Sequence, residues 1–137
     1  MTRVFLDANL LFSAAWRPGA GLTRLWEIGE FHLVTSPYAA AEAERNLARK
    51  RPDALPRLEA LVRRVEITNA FCLLDEGHGL PPKDEPILAA AAASQCQVLV
   101  LLTGDIADFG HALGRTLQGV RVLTAAMLLA ELDLPPK

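Results

Sequence analysis

The 137-residue chain has only two cysteines, three histidines and one tyrosine, and each shortage closes a line of chemistry. Cys72 and Cys96 lie far apart among apolar neighbours, with no CxxC and no Cys/His cluster at zinc spacing. That excludes a disulfide scaffold and a structural zinc site, and predicts buried thiols in a reducing compartment. His32, His78 and His111 are scattered, so no HxxxH and no Ser/His/Asp pattern forms. Long hydrophobic runs are missing too. The longest, from Ile87 to Leu102, is interrupted by Ser94-Gln95 and Gln97, which argues against a membrane span. The apolar N-terminus is broken by Asp7 and Asn9 and has no small-residue cleavage site after it, so it does not read as a signal peptide. A cytoplasmic protein is expected. Repeats, low-complexity tracts and linkers are also absent, and residues 1–137 read as a single domain.

What is present is a globular composition, 51% hydrophobic and 22% charged, with enough chain for a real core. The net charge of −2 argues against an overtly basic nucleic-acid binder, but the charges are unevenly spread. Residues 45–64 hold Arg45, Arg49, Lys50, Arg51, Arg57, Arg63 and Arg64 against only Asp53 and Glu59. Such asymmetry suggests a basic face beside an acidic site; a solvated helical surface is the plain alternative.

Along the chain, RVFL (3–6) reads as a buried strand and 9–16 as a short helix stopped by Arg17-Pro18-Gly19. Residues 21–29 fit a second helix with Leu22, Leu25, Trp26 and Ile28 as its apolar stripe. Trp16 and Trp26 could form a partner groove, but aromatic residues at helical spacing read first as core. FHLVT (31–35) is a strand, then Ser36-Pro37 opens a helix as N-cap and first residue, running to Lys50 before Pro52. A helix follows over 54–65, a strand at AFCLL (70–74), a loop over 76–83, and an Ala-rich helix over 84–94. QVLVLLT (97–103) is a strand, 106–113 a short helix or turn, VRVLT (120–124) the last strand and 125–132 the last helix. Strands alternating with helices, with continuous apolar central strands, predict a three-layer α/β/α domain with about five parallel strands.

Open parallel sheets bind ligands beyond the carboxyl ends of their strands, where the strand order reverses. Asp7 ends the first strand, Asp105 follows the fourth with Asp108 behind it, Asp84 opens the helix before that strand, and Glu42 sits on the helix after the second. Taken singly, Asp7, Asp84 and Asp105 also read as helix caps, and Glu42 as a solvated residue beside Arg45 or Asn46. Taken together, they crowd one end of one sheet. Two carboxylates ~4 Å apart repel by about 4 kcal/mol at an effective dielectric near 20, so such a group needs a cation. Oxygen donors without thiol or imidazole select Mg²⁺ or Mn²⁺. A hard cation in an acidic pocket beside a basic segment suggests phosphodiester chemistry, with water as the nucleophile and Arg45, Arg49 and Lys50 holding the phosphate backbone.

These residues resemble the PIN-domain family of metal-dependent nucleases over nearly the whole chain. VFLDANLLFSA is similar to the family's first-strand motif, with Asp7 as its first acid and Asn9 as a helper near the metal. SPYAAAEAERNL resembles the helix with the second acid, Glu42, or Glu44 as fallback. PKDEPILAAAAASQ resembles the helix opening with the third, Asp84. LLTGDIADFG resembles the most specific motif, Thr103-Gly104-Asp105, with Asp108 following. VRVLTAAMLLAEL resembles the closing strand and helix. The resemblance implies strand order 3-2-1-4-5, a catalytic set of Asp7, Glu42, Asp84 and Asp105, a metal held by Asp7, Asp84, Asp105 and Asp108, and Thr103 supporting it. It further implies cleavage of single-stranded RNA. Many compact members look like VapC-type toxins, so a small antitoxin protein and a homodimer are expected partners, with no membrane.

Two rivals remain. A phosphoacceptor receiver would place an acid beside Asp7 and a Lys where Thr124-Ala125 stands, with Asp75 as acceptor; a phosphotransferase would read Asp-x-Asp where Asp7-Ala8-Asn9 occurs. The other is a non-catalytic PIN-like module for RNA binding or protein interaction, whose mark would be missing acids.

Overall fold

The computed structural model of the protein describes residues 2–74, 76–93 and 97–133. The chain builds β1 (Thr2–Leu6), α1 (Ala8–Ala15), β2 (Phe31–Thr35), α2 (Pro37–Lys50), α3 (Leu55–Val62), β3 (Glu66–Ile67), α4 (Glu85–Ala92), β4 (Val100–Leu102), α5 (Ile106–Phe109), β5 (Thr116–Leu117), β6 (Val120–Leu123) and α6 (Ala125–Asp133). The sheet order is β3-β2-β1-β4-β6-β5, and every pairing is parallel except β5 with β6. The parallel strands thus follow the expected 3-2-1-4-5 order in a three-layer α/β/α fold.

β1 is central because it is apolar on both faces: Val4, Phe5 and Leu6 have no exposed surface. From β1 the chain runs outward through β2 to β3 on one side of it in the sheet, then returns to lay β4 and β6 on the other side. The order therefore reverses at β1, between β2 and β4. Leu6 stands in register with Leu102, which sets Asp7 and Thr103 side by side at the carboxyl rim. α2 starts as its sequence dictates: the Ser36 hydroxyl accepts from the Ala39 amide at 3.1 Å, with Pro37 as first residue.

Several expectations are corrected. AFCLL (70–74) is not a strand. The third strand is the two-residue Glu66–Ile67, and beyond it the Thr68 amide still reaches Thr35 O. The chain then leaves the sheet, and Cys72 N–H donates to Ala89 O on α4, 3.1 Å away. Phe71 and Leu73 are left 74% and 91% exposed, so the strand-like composition there is not matched by burial. Cys72 is half-buried rather than buried; Cys96 and Asp75 lie outside the described residues. The fourth strand is confined to Val100–Leu102, since Gln97 takes a positive φ and Leu99 is exposed. Residues 21–27 wind as a 3-10 helix, still burying Leu25 and Trp26. The β5–β6 hairpin was not anticipated. Gln118-Gly119, at φ 52° and 81°, form its two-residue turn, the left-handed pair that matches strand twist.

Among the described residues no helix is long and apolar enough to cross a membrane.

Candidate metal centre

At the rim, Asp7 occupies the position before α1 but makes no side-chain cap bond. Its carboxylate is 3% exposed and accepts the Thr103 hydroxyl at 2.6 Å. That hydroxyl in turn accepts the Asp105 amide at 3.0 Å, so Thr103 ties the end of β1 to the turn after β4. Burial pushes the Asp7 carboxyl up to about 6; the Thr103 hydroxyl and the Ala8 amide oppose this, while the charges of Asp105 and Glu42 add to it.

Asp84 closes the 3-10 turn Pro82–Asp84 ahead of α4 and likewise caps nothing. It is 4% exposed, and its Oδ2 is buried with no hydrogen-bond partner. Burial first, and the neighbouring Asp108 carboxyl second, push it up to about 7. Asp105 does cap: its Oδ1 accepts from the Asp108 amide at 3.0 Å. Asp108 carries the Lys83 ammonium 3.0 Å from its Oδ2, and that ion pair holds it below the ordinary carboxylate range.

Asp84, Asp105 and Asp108 each offer a carboxylate oxygen within 4.8 Å of the other two, a group that could hold a metal ion. Asp84 and Asp105 also line a cavity of about 140 Å³ together with Asp7, Asn9, Glu42, Asn46 and Lys83. Asp7 and Glu42 therefore face the same hollow from outside the tight trio. Glu42 contributes a second buried, unpartnered oxygen, Oε2. Glu44, the alternative, is exposed and lines a different groove with Leu55, Leu58 and Glu59. Among the described residues, five carboxyls thus meet one ammonium, and neither histidine nor cysteine lines the cavity.

The basic segment does not act as one face. Arg45 is exposed, and Arg49 donates to Asn46 Oδ1 at 2.7 Å, at the cavity's edge. Lys50 lies 5.7 Å from the Phe12 ring centroid, further along. Arg57 donates to the carbonyls of Ala15 and Trp16, and Arg64 to that of Trp26. Trp26 is core as read, donating its indole N–H to Leu61 O; Trp16 is half-buried against Phe12.

Sequence reasoning missed Lys83 and took Asn46 only for a surface neighbour of Glu42. The signals were available: Lys83 directly precedes an acid in PPKDEP, and Asn46 stands one helical turn after Glu42. No family model matches the sequence, and no curated protein matches it either.

Proposed function

We propose that the protein is a metal-dependent endoribonuclease of the PIN-domain type, acting on single-stranded RNA with Mg²⁺ or Mn²⁺. The observation that carries this is the unpartnered Oδ2 of Asp84, buried in a hollow shared by Asp7, Glu42 and Asp105. A buried carboxylate oxygen without a donor is costly unless a cation completes it, and the all-oxygen donor set suits a hard divalent ion. Asp84, Asp105 and Asp108 would hold it, with Asp7 and Glu42 facing it. Such an ion supplies Lewis acidity, making water a competent nucleophile at neutral pH and offsetting charge on a phosphate.

The chain's own residues do the rest. Thr103 fixes the Asp7 carboxylate, and Asp105 orders the turn before α5. Arg45, Arg49 and Lys50 position the phosphate backbone without reading bases. Kinship of motifs supports the toxin role, with a small antitoxin protein covering the site, a homodimer, and a cytoplasmic setting.

The test is cleavage of a single-stranded RNA in Mn²⁺. Asp7→Asn and Asp105→Asn are each expected to lose about 100-fold or more in rate while keeping the wild-type circular dichroism spectrum. Wild-type protein that neither cleaves nor gains melting temperature with Mn²⁺ would overturn the reading in favour of a non-catalytic binding module.

A further inference from the structure

A second hollow, of about 520 Å³, lies between α1, the following residues 17–22 and Lys50 at the end of α2, and plays no part in the acid chemistry. Phe12, Ser13, Trp16, Arg17, Leu22 and Lys50 are among the residues that line it. The Phe12 and Trp16 rings are half-buried, 5.2 Å apart and inclined at 37°. Lys50 lies over Phe12 at 5.7 Å and Arg51 over Trp16 at 5.0 Å. Arg17 and Lys50 line the hollow and, among the described residues, no carboxylate does. The other large grooves differ: the one of about 660 Å³ beside Phe71 and Leu73 carries Glu76 and Glu85, and the one under α3 carries Glu44 and Glu59.

The two sites share a seam. On α1, Asn9 borders the acidic cavity, and Phe12, Ser13 and Trp16 follow it at positions i+3, i+4 and i+7, one face of the helix. On α2, Glu42 and Asn46 border the cavity, and Lys50 follows Asn46 one turn on. With a rise of 1.5 Å per residue, Trp16 lies about 10 Å along the axis from Asn9, within reach of a short single strand. The far end is braced, because Arg57 donates to the carbonyls of Ala15 and Trp16 at 3.0 and 2.9 Å.

Aromatic rings bordered by cations, beside a phosphate-cleaving centre, match a flat base on a charged backbone. We propose that this hollow receives a nucleobase of the single-stranded RNA whose phosphate lies at the acidic cavity. The base stacks against Phe12 and Trp16, and Lys50 and Arg17 meet the flanking phosphates. The assignment rests on the ribonuclease reading, which supplies the substrate class.

Binding is tested apart from cleavage, on the full chain in EDTA, with a fluorescein-labelled oligouridylate of about ten nucleotides. Trp16→Leu is expected to weaken binding about tenfold. Lys50→Gln, at an exposed position, should weaken it severalfold and lower the slope of log K against log salt by about 0.7. A 5-iodouridine version should photocrosslink wild-type protein within residues 12–17, a readout independent of any variant's folding. Affinity unchanged in both variants, with crosslinks confined to other segments, overturns the proposal even if Mn²⁺-dependent cleavage is robust. That is also the result expected of a hollow built for a partner's peptide. Crosslinks at 12–17 in a protein that never cleaves would sustain the base site and sink the nuclease reading instead.

Discussion

Between residues 51 and 64 the arginines are matched within the protein, whereas at the carboxyl rim of the sheet the acids are not. Arg51 approaches Asp53, Arg57 reaches two carbonyls at the end of α1, Arg63 pairs with Glu59, and Arg64 joins Trp26 O and Glu27. The bonds of Arg57 and Arg64 fasten α1, α3 and the 21–27 segment together, while those of Arg51 and Arg63 are local. At the rim, Asp84 Oδ2 and Glu42 Oε2 are buried with no donor, and one ammonium faces five carboxyls. Buried polar atoms in folded proteins nearly always have partners. Charges that the protein matches itself are there for the fold. Charges it leaves short are ones a cation could complete, and the rest of the fold must carry their cost.

That contrast is most sharply tested by pH. The folded-state carboxyls of Asp7 and Asp84 lie at about 6 and 7, above their ordinary 3.8. For a raised carboxyl the folded protein binds the proton more tightly than the unfolded chain, so stability falls as pH rises through the window from about 4 to 7. Metal-free protein should therefore melt higher at pH 5 than at pH 7.5, with Asp7 alone contributing about 1.4 kcal/mol over that interval. Glu66, lowered by its bonds to Arg3 and His32, acts in the opposite sense at the acid end, below its ordinary 4.5. A saturating divalent ion favours the ionised carboxylates, so Mn²⁺ should stabilise most at pH 7.5 and remove the rise. Asp7→Asn, which binds no proton, should make the EDTA curve shallower and leave the part due to Asp84. Melting curves from pH 4.5 to 8, with EDTA or Mn²⁺, read all of this; a metal-free protein that loses stability steadily on acidification would break the contrast.

The matched region gives the opposite pattern at smaller amplitude. Arg57→Ala leaves the carbonyls of Ala15 and Trp16 without their guanidinium. Urea unfolding should register a loss of about 1–2 kcal/mol. Mn²⁺ affinity, followed by calorimetry, should stay at the wild-type value, because Arg57 does not line the acidic cavity. Weakened metal binding in this variant would mean that the two regions are mechanically coupled through α1.

How much of this could be read from residues alone follows the same divide. The convergence of Asp7, Glu42, Asp84 and Asp105 was legible because strand order dictates it: once β1 and β4 are neighbours, residues ending one strand meet residues ending the other. Whether each acid was a cap was not legible, since a cap is decided by side-chain rotation; Asp105 caps α5, while Asp7 and Asp84 cap nothing. AFCLL misled because β propensity registers fit to a half-buried surface, and here the surface belongs to α4 rather than to a neighbouring strand. The hairpin at 116–123 was overlooked because its strand Thr116–Leu117 is only two residues long, although Gln118-Gly119 marked its turn. The arginines misled most. A count of charge along the chain suggested a basic face, but long side chains reach carbonyls some forty residues away, and no local pattern reveals which ones.

Lys83 stands on the line between the two kinds of region, which makes it the finest test. It is exposed, its ammonium 3.0 Å from Asp108 Oδ2, and its carbonyl accepts the Tyr38 hydroxyl at 2.7 Å, so the backbone before Asp84 is held while the side chain is free to swing. If it belonged with the matched charges, removing it would loosen the rim and weaken metal binding. If it is a lodger in a hollow meant for a stronger cation, Lys83→Gln removes a competing charge and leaves the Tyr38 contact intact. Mn²⁺ should then bind roughly two- to fivefold tighter, the modest size expected of a solvent-exposed ion pair. The gain should shrink as salt rises from 50 to 500 mM, because screening already mutes the ammonium in the wild-type protein. A gain that ignores salt would mean the substitution acts by reshaping the turn rather than by charge, and a loss of affinity would move Lys83 to the side of the arginines.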